Sequence, residues 1–300
     1  MKLINSKVEI LEPTGYTIDD IYKQIEIAGR TCYKSEDKIT NKSCEEFVQR
    51  MINSGHTAML EHGTVYLTVP AEDANNGYKY SFNKYSKINF DPTGKDTNIY
   101  VTTNYRVITE NKWEDDLKYL TEPTKNHEKR LTFRFVCDRG VSHELVRHRV
   151  LSFAQESTRY CNYVKDKFNG EITYVIPTWL EDKLPEGQYV EWDGDWCDIE
   201  KFTIQHHIDN SIENEFVQTL QNLEYSYMYF IENGWKPQQA RSVLPNALKT
   251  EIIVTGFISD WLRFIAMRTA PNAHPDIQKL ANILLTDKEI KKYIITDKKK

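Results

Sequence analysis

Residues 147–160 read RHRVLSFAQESTRY, an unusual density of anion-binding groups. Arg147, His148 and Arg149 are followed by seven residues, then Ser157, then Arg159 and Tyr160. Arginine is almost never fully buried unpaired, and crowded guanidinium groups repel one another unless an anion lies among them. The planar guanidinium fork matches two oxygens of a phosphate at once, so the stretch reads as a site for a phosphate-bearing ligand. If a helix carries them, Arg147 and Arg149 stand about 200° apart, which suits two different anions better than one. The bland alternative is a set of surface ion pairs, which stabilise little and seldom cluster so tightly.

Other chemistries find less support. His143-Glu144 invites comparison with the H-E-x-x-H zinc motif, but the residue four after His143 is Arg147, a poor metal ligand. His206 and His207 are adjacent and would point apart on a helix, so no protein-built metal site is expected. Ser157 is flanked by Glu156 and Thr158 rather than by the glycines of a nucleophile elbow. Hydrogen bonding to a ligand phosphate suits it better than attack. Cys161 lies close to Arg159 but has no evident base, and reads as a spectator thiol. Neither G-x-G-x-x-G nor G-x-x-x-x-G-K-S/T is present, so a nucleotide cofactor would be held by arginines and helix termini.

The chain has 300 residues, 40% hydrophobic and 28% charged, which is the profile of a globular protein with a real core. The formal net charge of −5 makes the cationic stretch a local exception and argues against wholesale nucleic-acid binding. Five cysteines, an odd number with no C-x-x-C spacing, fit free thiols in a reducing compartment. No signal-peptide core and no run of about 18 apolar residues stands out, so a cytoplasmic protein without a membrane partner is expected. The lysine-rich end from Lys288 to Lys300 reads as a solvated terminus.

The elements that must position the cluster can be traced from periodicity. A strand is expected over Val8–Leu11, then a helix capped by Thr17 with Ile21, Ile25 and Ala28 on one face. A second helix follows Ser43 and stops at Ser54-Gly55, and a strand covers Thr64–Val69. Residues 73–129 carry weaker signals, with a strand near Ile99–Thr102, and read as an insertion. Leu131–Val136 is a firm strand. Ser142 is the expected cap of a helix running through Glu144 to Val150, which would deliver the arginines. Thr173–Ile176 reads as a strand, and residues 181–200 as a second, acidic insertion bearing Trp192 and Trp196. A long helix then carries Ile212, Phe216, Val217, Leu220, Leu223, Tyr227 and Ile231. Pro237 opens a helix containing Arg241, Glu251–Thr255 is extended, Ser259 caps a helix to Arg268, and Pro275 starts the last helix.

The stretch DRGVSHELVRHRVLSFAQESTRYCNY resembles the signature of the flavin-dependent thymidylate synthases, R-H-R, seven residues, then S. Two further segments agree in order. Residues 55–62, GHTAMLEH, resemble the family's G-H-x-x-x-x-E-H element, and residues 240–245, ARSVLP, its A-R-x-x-L-P element, followed by Arg268.

The resemblance implies a single α+β domain over 1–300, an antiparallel or mixed sheet packed with helices, assembled as a homotetramer with sites shared between subunits. It implies reductive methylation of deoxyuridylate (dUMP) to thymidylate, with methylenetetrahydrofolate as carbon donor and NADPH reducing bound FAD. By position, Arg147, His148 and Arg149 should contact FAD, and Arg147 the nucleotide as well. Thr64 falls at a family FAD contact. Glu144 and the run Gln155, Glu156, Ser157, Thr158, Arg159 should form the deoxyuridylate pocket, Ser157 and Arg159 gripping phosphate. Gln155 should also adjoin the cofactor, and Arg241 should add a phosphate contact. Arg268 should lie against the uracil edge as a catalytic residue, and His62 should stand near flavin and folate. The family's asparagine and histidine beside the flavin fall at Arg263 and Asn272, with His274 in place of the latter. The rival reading is a non-catalytic nucleotide- or RNA-binding protein using the same arginines. Single-strand binders, however, place stacking aromatics in a basic groove.

Overall fold

The computed structural model describes residues 1–165, 168–192, 195–198, 203–205, 211–286 and 291. His206, His207 and all of the lysine-rich end except Lys291 lie outside the described residues.

Two short strands, β1 (Lys2–Ile4) and β2 (Lys7–Ile10), lead to helix α1 (Ile18–Tyr33). Thr17 caps α1 as expected: its hydroxyl accepts from the Asp20 amide, and the Asp20 carboxylate receives the Thr17 amide in return. Helix α2 (Ser43–Asn53) buries Phe47, Val48 and Met51 against Ile21 and Ile25 of α1. Strand β3 (Thr64–Val69), helix α3 (Ala74–Tyr78), strands β4 (Lys87–Asn89) and β5 (Ile99–Asn104), and helix α4 (Tyr105–Asn111) follow. The three strands form an antiparallel sheet in the order β3-β5-β4. Tyr80, Ile99, Val101, Val107 and Ile108 join the core of α1, α2 and β3, so residues 73–129 complete that core rather than decorate it.

The sheet under the arginine cluster is built from β2, β6 (Arg130–Asp138), β12 (Lys249–Phe257) and β7 (Ser152–Gln155), all antiparallel in the order β2-β6-β12-β7. Between β6 and β12 come helix α5 (Arg139–Leu145), strands β8 (Thr173–Val175), β9 (Gly187–Trp192), β10 (Asp195–Asp198) and β11 (Thr203–Gln205), and helices α6 (Ile212–Glu232) and α7 (Pro237–Ala240). Helices α8 (Ile258–Arg268) and α9 (Pro275–Thr286) end the described fold. Because side chains alternate along a strand, β12 has two faces. Ile252 and Val254 pack with Trp261 and Phe264 of α8 and Leu280 of α9. Ile253 faces Ala28 of α1, and Thr255 points the same way. A third sheet, β11-β10-β9-β1-β8, is mixed, with β1 parallel to β8. Antiparallel and mixed sheets packed with helices make the fold α+β.

Several boundaries differ from the sequence reading. A strand the sequence reading did not expect, β1, comes first at Lys2–Ile4, and β2 runs over Lys7–Ile10 rather than Val8–Leu11. Ser142 is not a cap: Asp138 is, its carboxylate accepting from the Val141 amide at 2.8 Å, while the Ser142 hydroxyl donates back to Arg139 O. Arg147–Arg149 are not helical either. The helix ends at Leu145; the Val146 amide still bonds Ser142 O, and the amides of Arg147 and His148 then bond three residues back, to Glu144 O at 3.4 Å and Leu145 O at 3.1 Å. The guanidinium of Arg268 donates to the Glu144 carbonyl as well, an acceptor in the last turn that the Arg147 amide also reaches at 3.4 Å. Arg241 follows α7 instead of lying in it, and Ser259 sits within α8, which starts at Ile258 without a side-chain cap. Ile212, placed on the apolar stripe of α6 from its spacing, is 77% exposed.

Candidate active site

The structure draws Glu144, His148 and Arg268 into one constellation. Arg268, in the last turn of α8, donates through Nε to His148 Nε2 at 3.0 Å and through Nη2 to the Glu144 carbonyl at 3.2 Å. Its Nη1 pairs with the Glu144 carboxylate. Because His148 Nε2 accepts, the ring proton resides on Nδ1 and the imidazole is neutral. Burial, with the Arg268 and Arg147 charges close by, pushes His148 down to about 4. The ring is packed edge-on against Phe264, their centroids 4.9 Å apart. The result is a fixed guanidinium held on one side by a carboxylate and on the other by a neutral base.

Arg147 and Arg149 stand exposed in the turn beyond α5, Arg159 exposed beyond β7, and Arg263 exposed on α8. Among the described residues none of the four is paired with a carboxylate. Arg159 lies over the Tyr160 ring, 5.6 Å from its centroid. Four such cations on one chain fit anionic ligands, including the diphosphate of a dinucleotide.

The segment after β7 is tied down residue by residue. Gln155 donates from Nε2 to Ser142 Oγ at 2.9 Å and Thr250 Oγ1 at 3.2 Å. Glu156 is buried at 3% exposure, its carboxylate bonded to Lys249 Nζ at 3.0 Å. The Ser157 amide donates to Cys32 O at 3.0 Å, and the Ser157 hydroxyl accepts from the Arg159 amide at 3.4 Å. Thr158 is buried and accepts from Arg241 Nη1 at 3.1 Å, which joins the late ARSVLP element to this turn. Cys161 is fully buried and unbridged, in keeping with a spectator thiol.

His62 and Thr64 lie elsewhere. His62 is buried, its Nδ1 bonded to Thr255 Oγ1 at 2.8 Å, on the opposite face of β12 from α8. Burial first, then the nearby Arg130 charge, holds His62 down at about 3, and its Nε2 is buried without a partner. Thr64 accepts from Arg130 Nη1 at 3.2 Å. Arg130, which sequence reading passed over, is a buried guanidinium whose Nε has no partner, and desolvation lowers it to about 10. With Thr64, Gln24 and Tyr16 it borders a cavity of about 70 Å³. His274 contacts Asp276 at 3.7 Å and packs against Trp179, their ring centroids 5.9 Å apart.

Sequence reading also missed Lys34, Lys249 and Glu251, which with Glu156 form a charged quartet at the wall of a cleft of about 500 Å³. Only the alternation Lys249-Thr250-Glu251 hinted that two charges share a strand face. No group of three or more metal-ligating side chains is found among the described residues. Nor is any helix among them long and apolar enough to cross a membrane.

A family profile described as thymidylate synthase complementing protein matches residues 126–292, more than half of the chain. The chain therefore belongs to this family, that of the flavin-dependent thymidylate synthases, and is an enzyme of that class. The flavin-dependent thymidylate synthase of Mycobacteroides abscessus is 25% identical over 264 residues, covering 86% of this chain and 71% of the relative. That of Corynebacterium glutamicum is 24% identical over 262 residues with the same coverage. Among solved structures, a UMP/dUMP methylase PolB from Streptomyces cacaoi bound with 5-Br dUMP covers 95% of this chain and 91% of its own, at 15% identity and a TM-score of 0.42. Thymidylate synthase X from Helicobacter pylori with FAD and dUMP covers 97% and 98% at 18% identity, with a TM-score of 0.38. Superpositions this loose add no weight to the assignment, which rests on sequence.

Proposed function

We propose that the chain converts deoxyuridylate to thymidylate, taking its carbon from methylenetetrahydrofolate and its reducing equivalents from NADPH through bound FAD. The observation that carries this reading is the Arg268 guanidinium, clamped by Glu144 and neutral His148 beside arginines that have no acidic partner among the described residues. A cation fixed in this way, set against the uracil edge, would stabilise the N3-deprotonated base and raise nucleophilicity at carbon five. Its preorganisation matters, because no reorientation is then needed as charge develops.

The residues present fit FAD. Arg147 and Arg149 are free guanidinium groups in one turn, His148 between them is neutral, and Thr64 and His62 adjoin the buried, incompletely satisfied Arg130. These residues, with Gln155, Arg263 and His274, are proposed to hold the cofactor. When bound, FAD supplies redox chemistry: hydride from NADPH, passed on to the transferred carbon. His62, buried with its Nε2 unpartnered and held at about 3, is proposed as a neutral group at the flavin and folate. Ser157, Arg159 and Arg241 are proposed to grip the nucleotide phosphate, with Glu144, Arg147, Gln155, Glu156 and Thr158 completing the pocket. A homotetramer with sites shared between subunits is proposed on the same ground, since exposed guanidinium groups of one chain would face ligands held by another. Four cysteines standing as free thiols support a reducing, cytoplasmic setting.

The direct test is product formation. Purified protein given FAD, NADPH, methylenetetrahydrofolate and deoxyuridylate should release thymidylate. Oxidation of NADPH without thymidylate would refute the methyl-transfer half of the reading.

A further inference from the structure

We infer that Lys249 is a positioning residue for nucleotide recognition: together with Lys34 it holds the buried Glu156 carboxylate and so fixes the path of Ser157–Arg159. The inference rests on the reading of that segment as the grip on the nucleotide phosphate.

Strand β7 ends at Gln155, but its pairing with β12 persists for one more residue. The Glu156 amide donates to Glu251 O at 2.8 Å, and the Glu251 amide donates to Glu156 Oε2 at 3.3 Å. One residue later the chain leaves the sheet, the Ser157 amide turning to Cys32 O near the end of α1. Glu156 is thus the last point at which the sheet controls the segment, and its side chain is almost wholly buried. A buried carboxylate is strongly disfavoured unless paired and hydrogen-bonded. Lys249 Nζ provides that pairing, 3.0 Å from Glu156 and 2.6 Å from Glu251. Lys34 Nζ closes the quartet at 2.6 Å from Glu251 and 3.8 Å from Glu156. Glu36 also approaches Lys34, at 3.7 Å, so the two ammonium groups face three carboxylates, of which Glu156 is the most buried. Glu251 is held down at about 2 by Lys249 and Lys34 against its desolvation, and Lys249 is raised to about 12 by the two carboxylates, so both stay ionised across the working range.

Lys34 is itself placed for this contact. It ends α1 in the left-handed conformation, φ +47°, which glycine adopts more readily, and its side chain turns to β12. Removing Lys249 leaves Glu156 and Glu251 with Lys34 alone, which also contacts Glu36, so Glu156 would turn outward into the neighbouring cleft. Ser157 and Arg159 would move with it. Lys249 is in the wall of that cleft and contacts neither Ser157 nor Arg159, so its effect passes through Glu156.

The test is calorimetric titration of the FAD-loaded wild type, Lys249→Met and Lys249→Arg with deoxyuridylate and, separately, with deoxyuridine. In Lys249→Met the affinity for deoxyuridylate should fall about tenfold or more while that for deoxyuridine shifts less than about threefold, since only the former needs the phosphate grip. Lys249→Arg should recover most of the loss. If Lys249→Met does not fold, Lys34→Met, which removes the ammonium farther from Glu156, at 3.8 Å against 3.0 Å, should show the same selective loss in smaller measure. Equal loss for both ligands, or no loss for either, overturns the inference while leaving the proposed function standing. A wild type that binds neither ligand, or does not prefer the nucleotide, refutes the phosphate reading itself and this inference with it.

Discussion

The Nε–H of Arg268 points at Nε2 of His148 across 3.0 Å, so each fixes the state of the other. The histidine must carry its proton on Nδ1, and the guanidinium is held in one plane by a base it cannot protonate. The second residue of the R-H-R motif thus supports, from the turn after α5, the cation that α8 presents.

Arg268→Ala should remove thymidylate formation, by about 10²–10³-fold or more if the guanidinium stabilises charge on the base as proposed. Flavin content should stay near that of the wild type, because Arg147 and Arg149 are untouched. Arg268→Lys should be nearly as inactive, since an ammonium cannot reach His148, the Glu144 carboxylate and the Glu144 carbonyl together. Turnover by either variant at the wild-type rate would contradict the role.

Acid should destabilise the protein earlier than carboxylate protonation alone predicts. Burial disfavours the protonated forms of His62, held at about 3, of His148, held at about 4, and of His127, lowered as well. In the unfolded chain each takes a proton near pH 6.5. Between about pH 6.5 and 4 the unfolded state therefore binds more protons, so stability is full above that window and declines as pH falls through it. Urea unfolding from pH 8 to 4.5 should show a plateau and then this decline. His148→Asn should shallow the slope by up to about one proton; an unchanged slope would mean His148 is protonated in the folded state.

Asp138→Ala should cost about 0.5–2 kcal/mol of stability, since the carboxylate caps α5, whereas Asp138→Asn should stay within a few tenths of the wild type. Denaturant midpoints of the two variants check this. Equal loss in both would mean that the charge of Asp138, rather than its capping acceptor, is what matters.

The parts legible in the sequence are those governed by local chemistry. The Thr17 cap of α1 and the stop of α2 at Ser54-Gly55 are decided within a few residues. The arginine motif was legible because its residue types alone imply an anion. What escaped depends on partners far along the chain. Helix α5 reads as though it should continue to Val150, yet Arg268 takes the Glu144 carbonyl and the chain turns. Strand β1, three residues long, exists because Thr173–Val175 lies parallel to it. Lys34, Glu156, Lys249 and Glu251 meet only once β7 has docked on β12 and α1 has packed beneath. Gly256 shows the same dependence: a Cβ there would stand 2.2 Å from Leu151 Cδ2, a contact set by a residue more than a hundred positions away.

The central claim is that this chain works through a bound flavin on a nucleotide, and the visible absorption spectrum tests it most directly. Purified protein, loaded with FAD if necessary, should show flavin bands that bleach when NADPH is added anaerobically in the presence of deoxyuridylate. A protein that shows no flavin bands even after incubation with FAD would contradict the account, and its arginines would then serve some other anion.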